Sequence, residues 1–214
     1  SGILINRAAM FQGQGAVTAQ QILAAGGIPI TTTAPASSTN GPFAWQFDGS
    51  NDSFASTLTT GNEGWVCAGT NVQALNPAGA MFVGNGAFSA TGSPGMMIYS
   101  HGAGGGGFMQ LWLSNGVSRQ FVGSTVTPTG SAFVFDGGWD ASSAAIAING
   151  VEQNLVKTID PTSAQTIRIG IDPGLFWMLN GLIFATILMP TALPTATERA
   201  TLRQFIASLS GVTP

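Results

Sequence analysis

Apolar residues along this chain fall into short runs of strand length, separated by polar or glycine-rich breaks. The runs are FAWQF (43–47), GWVCA (64–68), AMFVG (80–84), MMIYS (96–100), FMQLWL (108–113), SRQFVG (118–123), AAIAI (144–148), TIRIGI (166–171) and LIFATILM (182–189). Asp-Gly or Asn-Gly pairs punctuate them at 48–49, 85–86, 115–116, 136–137, 149–150 and 180–181. Such pairs suit tight turns because they tolerate positive φ. Many short strands joined by tight turns predict a sandwich or barrel, and no βαβ alternation competes with that reading. LIFATILM is apolar almost throughout and is expected at the centre of a sheet. The most legible hairpin is FVFDGGWDASSAAIAINGVEQN, residues 133 to 154. Phe133 to Phe135 end one strand, Asp136-Gly137-Gly138 reads as a turn, and Ile146 and Ile148 share a face of the next strand. That reading puts Trp139 on an exposed tip between Asp136 and Asp140.

Two helices interrupt the strands. Thr18 and Gln21 form a capping-box pair at the start of TAQQILAAGG, and Gly26 supplies the stop. Thr195 and Glu198 repeat the box in TATERATLRQFIASLSG, which Gly211 ends. Leu202, Phe205, Ile206 and Leu209 recur on one helical face, which should lie across a sheet, with Arg199 and Arg203 on the other face. TTTAPASSTNGP, residues 31–42, reads as a linker. The chain therefore divides into an arm, short helix and linker (1–42) and a sandwich with a closing helix (43–214). The arm carries Ile3, Leu4, Ile5, Met10, Phe11, Val17, Ile22 and Leu23 but is too short for a core of its own. It has two uses: an extra edge strand for its own sheet, or docking onto a neighbour. GLFWMLNGLIFATILMP (174–190) is uncharged, but Asn180-Gly181 divides it into two buried strands rather than a membrane span.

Composition changes the picture in one respect. Of 214 residues 44% are apolar, enough for a large core, but only 7% are charged, against about 25% in ordinary globular domains. Disordered chains are charge-rich, so disorder does not account for this. A neutral surface with net charge −3 offers little repulsion between copies. It suits a chain packed against other proteins. The basic residues Arg7, Arg119, Lys157, Arg168, Arg199 and Arg203 form no stripe, so nucleic acid is not an expected partner. The lone Cys67 excludes an internal disulfide and reads as a buried small hydrophobe. No basic segment followed by an apolar run opens the sequence, so no secretory signal is expected.

Three stretches resemble one family. WQFDGSNDSFAS (45–56) is similar to the opening strand and turn of laminin-G-like jelly rolls, in the concanavalin-like lectin and glucanase superfamily. Residues 133–154 resemble its central hairpin, and LNGLIFATILMPTALPTATERATLRQFIA (179–207) resembles its closing strand and helix. The resemblance implies an all-β, two-sheet antiparallel jelly-roll sandwich with an N-terminal arm and a short C-terminal helix. Its function stays open, since this fold hosts lectins, enzymes and adhesive modules. The superfamily's enzymes carry two glutamates and an aspartate along one strand. Here Glu63, Glu152 and Glu198 lie far apart, so no catalytic residue is assigned and an enzyme is not expected.

Candidate ligand contacts are Asp136, Trp139, Asp140 and His101. An indole flanked by carboxylates can stack on a sugar and bind its hydroxyls; the plain alternative is hairpin chemistry with Trp139 folded back on the sheet. His101 precedes GAGGGG and otherwise reads as an exposed loop histidine. That glycine run contains G-x-G-x-x-G, but a strand follows it where a dinucleotide site needs a helix. Asp48, Asn51 and Asp52 are candidate calcium ligands, through which some laminin-G-like domains bind the ion, although no companion glutamate is present. Trp45, Trp65, Trp112 and Trp177 lie in apolar strands and are expected in the core.

The leading expectation is a structural or accessory protein of a virus particle, a bacteriophage decoration, fibre or tail component. It would contact other virion proteins or copies of itself, and cell-surface glycan as well. Scarce charge and an apolar arm are similar to features of phage structural proteins, which often carry laminin-G-like domains. The alternative is a stand-alone carbohydrate-binding module; a glycoside hydrolase ranks last.

Overall fold

A strand with one apolar face can hide it only against another such face, and here two sheets do so. The structure is a computed structural model that describes residues 2–6, 27–29, 44–56, 58–85, 93–102, 106–171 and 177–212. In chain order the strands are β1 (Gly2–Asn6), β2 (Gly27–Pro29), β3 (Trp45–Asp48), β4 (Phe54–Ser56), β5 (Gly64–Ala74), β6 (Gly79–Gly84) and β7 (Pro94–His101). They continue with β8 (Phe108–Asn115), β9 (Arg119–Val126), β10 (Ala132–Trp139), β11 (Ser143–Ile148), β12 (Val151–Val156), β13 (Ile167–Ile169) and β14 (Asn180–Met189). The described helix, α1, spans Ala196–Ser210.

The larger sheet has eight strands in the order β12-β11-β10-β5-β14-β1-β2, with β3 also paired to β14; the smaller has six, β4-β13-β6-β7-β8-β9. The named strands pair antiparallel except β1 and β2, which run parallel. The two-sheet jelly-roll sandwich with a C-terminal helix is therefore the observed fold. Residues 2 to 6 pair with β14, from Ile3↔Leu188 to Asn6↔Ala185, and so extend the chain's own sheet. The helix expected at 18–26 and the linker at 31–42 lie outside the described residues.

Phe82 of the smaller sheet and Phe135 of the larger meet edge-on at 5.1 Å between the layers. Around them lie Ile98, Leu111, Phe133, Ile146 and Leu188, all buried. β14 is covered on both faces: Ile183 and Leu188 enter this core, while Ala185, Ile187 and Met189 lie beneath α1. That double burial is why LIFATILM reads as a continuous apolar run. Asn180-Gly181, expected as a hairpin turn, instead opens β14; Asn180 pairs with Asp48 and with Ala74. Gly181 is needed for close approach, since a Cβ there would stand 2.3 Å from the Asn71 carbonyl oxygen.

α1 begins at the expected capping box: Thr195 accepts from Glu198 N, and the Glu198 carboxylate accepts from Thr195 N. Those Thr195 bonds hold the Glu198 carboxyl below the usual carboxylate range. Leu202, Ile206 and Ala207 bury against Trp65, Cys67, Val134, Ile187 and Met189, with Phe205 and Leu209 half-buried at the flanks. Ser210 sits so close over Gly69 that a Cβ on Gly69 would lie 1.7 Å from its hydroxyl oxygen. Arg203 does not face away as the helical pattern suggests. It reaches down to Asp136, with Nε 2.6 Å from Oδ1 and Nη2 2.8 Å from Oδ2.

Asp136-Gly137-Gly138, expected as a turn, is instead the middle of β10. The glycines serve packing: a Cβ on Gly137 would stand 2.7 Å from Ile98 Cδ1, and one on Gly138 3.1 Å from Trp65. The turn lies further on, where Asp140 Oδ1 accepts from the Ser142 and Ser143 amides. The Ser142 amide, foremost, holds the Asp140 carboxyl below its ordinary range. Asn149 and Gly150 close the next hairpin at φ 48° and 80°, as a two-residue turn requires.

Three outcomes test this packing. Ile206→Ala should lower stability by about 2–5 kcal/mol, and Phe205→Ala, half-buried, by less; paired urea melts measure the difference. Asp136→Asn leaves Arg203 with one acceptor in place of two and should lower stability by about 1.5–3 kcal/mol, read the same way. Burial, with the neighbouring Asp136 charge, pushes the Cys67 thiol well up. An aromatic disulfide reagent should therefore label Cys67 only as fast as the protein unfolds.

Candidate functional site

The two outer faces of the sandwich differ. The larger sheet's is covered by α1, whereas the smaller sheet's carries a cluster of large aromatic side chains. Strand alternation builds it. On β7, Met96 and Ile98 enter the core, so Met97, Tyr99 and His101 face outward; on β8, Met109, Leu111 and Leu113 point in, so Gln110 and Trp112 point out. Phe121 and Arg119 join from β9, and Trp177 packs on from the segment before β14.

The rings form a connected run. Trp177 stacks on Tyr99 at 5.6 Å, Tyr99 meets Trp112 edge-on at 5.4 Å, and Trp112 stacks on Phe121 at 5.2 Å. The Arg119 guanidinium carbon lies 5.0 Å from the Trp112 ring centroid, within cation–π range. Tyr99 is buried at the middle, over Met81 and Met97; Trp112 and Trp177 are half-buried, and Phe121 is 54% exposed. Burial pushes the Tyr99 phenol above the usual tyrosine range, so it stays protonated at neutral pH.

A polar group is set among these rings. Gln110 Oε1 accepts from Trp112 Nε1 at 2.8 Å and lies 2.9 Å from His101 Nε2. Gln110 Nε2 donates to the Gly123 carbonyl at 3.0 Å. The Tyr99 hydroxyl stands 2.7 Å from His101 Nε2. An aromatic surface with a fixed hydrogen-bonding centre can stack on a ring and bind the polar groups at its rim.

The residues singled out in the sequence are scattered by comparison. Asp136 and Trp139 are buried, at 3% and 0% exposure, and neither is on an exposed tip. Asp136 Oδ2 accepts from Trp65 Nε1 at 3.0 Å as well as from Arg203, and Trp139 Nε1 donates to the Gly61 carbonyl at 3.1 Å. Asp140 is occupied by its turn. His101 ends β7 and is half-buried, not a loop residue. Asp48 Oδ1 accepts from Ser50 N, and Asp52 Oδ2 from Asp48 N, so both carboxylates serve the turn that also holds Asn51. Calcium wants six to eight oxygens. Among the described residues no group of three or more His, Cys, Asp or Glu could hold a metal ion. Trp65 is core as expected, but Trp112 and Trp177 are surface-facing. The parity of FMQLWL carried that signal: if Met109, Leu111 and Leu113 point inward, Trp112 points outward.

A cavity of about 160 Å³ lies beside α1, lined by Val134, Asn149, Gly150, Arg203, Ala207 and Val212 among others. It falls below the 300–1,000 Å³ usual for small-molecule sites.

No family model matches the sequence, and no curated protein matches it. Solved structures do match. Domain 4 of AbnA, a GH43 extracellular arabinanase from Geobacillus stearothermophilus in complex with arabinotriose, is 18% identical with a TM-score of 0.56, over 83% of this chain and 84% of that one. The mouse laminin alpha1 chain, domains LG4-5, is 7% identical with a TM-score of 0.53; the match covers 71% of this chain and about half, 47%, of the laminin fragment. The CBM40 of Ruminococcus gnavus IT-sialidase is 11% identical with a TM-score of 0.50, over 65% and 82% of the two chains. At these identities the likeness is one of fold: the chain shares with these structures a two-sheet jelly-roll sandwich.

Proposed function

We propose that this chain is a non-catalytic glycan-binding module, and that Trp112, Phe121 and Trp177 form the surface against which sugar rings pack. The observation that carries the reading is the run of rings around a hydrogen-bonded polar centre on the outer face of the smaller sheet. Sugars present apolar C–H faces and hydroxyl edges, and such a surface matches both. None of β6, β7, β8 and β9 contains an Asp or Glu, so these strands lack the carboxyl pair that glycoside hydrolysis uses. Structural likeness to an arabinanase domain in complex with arabinotriose and to the CBM40 of a sialidase supports the same reading.

A role in a bacteriophage particle, through contacts with other virion proteins or further copies of this chain, is compatible with glycan binding. It draws on the 7% charge content and on exposed Val117, Val151 and Val156. Native mass at micromolar concentration separates the two: a module runs as a monomer, an assembly protein as a larger species.

The test is a soluble polysaccharide panel including arabinan, read by affinity electrophoresis. The protein should be retarded by at least one neutral polysaccharide and should release no reducing ends. Phe121→Ala, an exposed position, should weaken that retardation about tenfold, equivalent to about 1.4 kcal/mol, with little change in melting temperature. Absence of retardation throughout the panel, or loss of structure in Phe121→Ala, would count against the assignment.

A further inference from the structure

We propose that His101 is the polar specificity residue of the aromatic face, its Nδ1 accepting a hydrogen bond from a sugar hydroxyl, so that the face selects neutral glycans. This rests on the reading of that face as a glycan site.

The protons around Gln110 leave one arrangement. The Gly123 carbonyl can only accept, so the Gln110 atom 3.0 Å from it is the amide nitrogen. The other amide atom is then oxygen, which agrees with the Trp112 indole N–H, a donor only, at 2.8 Å. An oxygen acceptor 2.9 Å from His101 Nε2 calls for the hydrogen on Nε2, where the Tyr99 hydroxyl oxygen at 2.7 Å accepts it as well; with Nε2 bare, two lone pairs would face each other across the 2.9 Å contact. Neutral His101 is therefore the Nε2–H tautomer, and Nδ1 carries a lone pair. The Tyr99 hydroxyl sits 2.7 Å from Nε2 but 3.4 Å from Nδ1, beyond the range of a good O–H···N bond. Nδ1 is thus an acceptor on a half-buried ring that packs beside Tyr99, in the middle of the run of aromatic side chains. Its natural complement is a hydroxyl donor. A carboxylate or phosphate offers only acceptors and mismatches it.

Among the described residues, the titratable and charged groups around the ring are few. Tyr99 adjoins it on its own strand and Arg119 lies across Trp112 on β9; β6 and β8 contribute none. Tyr99 keeps its proton at neutral pH.

Two measurements test this. His101 is the chain's single histidine, so a long-range ¹H–¹⁵N spectrum of the labelled protein at pH 7.5 reads its tautomer directly. The Nε2–H form is expected, and the Nδ1–H form overturns the proposal. Calorimetry then uses arabinotriose, xylotriose, cellotriose and mannotriose as neutral probes and sialyllactose as the anionic one. The wild type should bind a neutral probe at pH 7.5. His101→Phe should bind that probe about tenfold more weakly. His101→Phe or His101→Gln with wild-type affinity, or preference for sialyllactose, overturns this proposal and leaves the glycan reading standing. A wild type that binds none of the five sugars overturns both.

Discussion

The bidentate grip of Arg203 on Asp136 ties α1 to the outer face of the larger sheet. Asp136 is buried on β10 and also accepts the indole proton of Trp65, so both of its oxygens are occupied. Removing a carboxylate from water is costly unless its oxygens are paired, and a guanidinium fork pairs both at once. The pair also sets the register of α1 over β5, β10 and β14, where Ser210 closes onto Gly69 and Ile206 onto Cys67 and its neighbours. With that sheet covered, the large aromatic side chains collect on the outer face of β6 to β9.

That face is organised by parity. Each strand of the smaller sheet sends alternate residues into the core, and the intervening residues collect Tyr99, Trp112, Phe121, Gln110 and His101 within contact of one another. The buried members, Tyr99, Met81 and Met97, form a floor. The half-buried Trp112 indole and His101 ring are held by hydrogen-bonding contacts to Gln110.

Low charge also shapes how the molecule protects its edges. β9 and β12 end their sheets without Lys or Pro on the strand. Side-chain amides bridge them instead: Gln153 Oε1 accepts from Ser124 N, and Gln120 bonds the Val156 carbonyl and the Thr158 amide. Backbone groups that would otherwise invite another chain are thereby occupied.

The sequence by itself determined the strands, most turns and the closing helix with its capping box, because these follow from local rules: alternation, Asn-Gly and Asp-Gly chemistry, and helical spacing. It also showed that LIFATILM belongs at the centre. It misplaced what depends on distant partners. Asp136-Gly137-Gly138 has the composition of a turn, but its glycines make room for Ile98 and Trp65 and its aspartate meets an arginine 67 residues away. Asn180-Gly181 is likewise a close approach to Asn71. Trp139, for which the sequence offered an exposed tip or a ring folded back on the sheet, is core, and the indoles that looked like core, Trp112 and Trp177, face outward. A strand pattern shows that its two faces differ. Only the docking of α1 on one sheet, and of the sheets on each other, decided which faces are buried, since burial is set by what packs against a face.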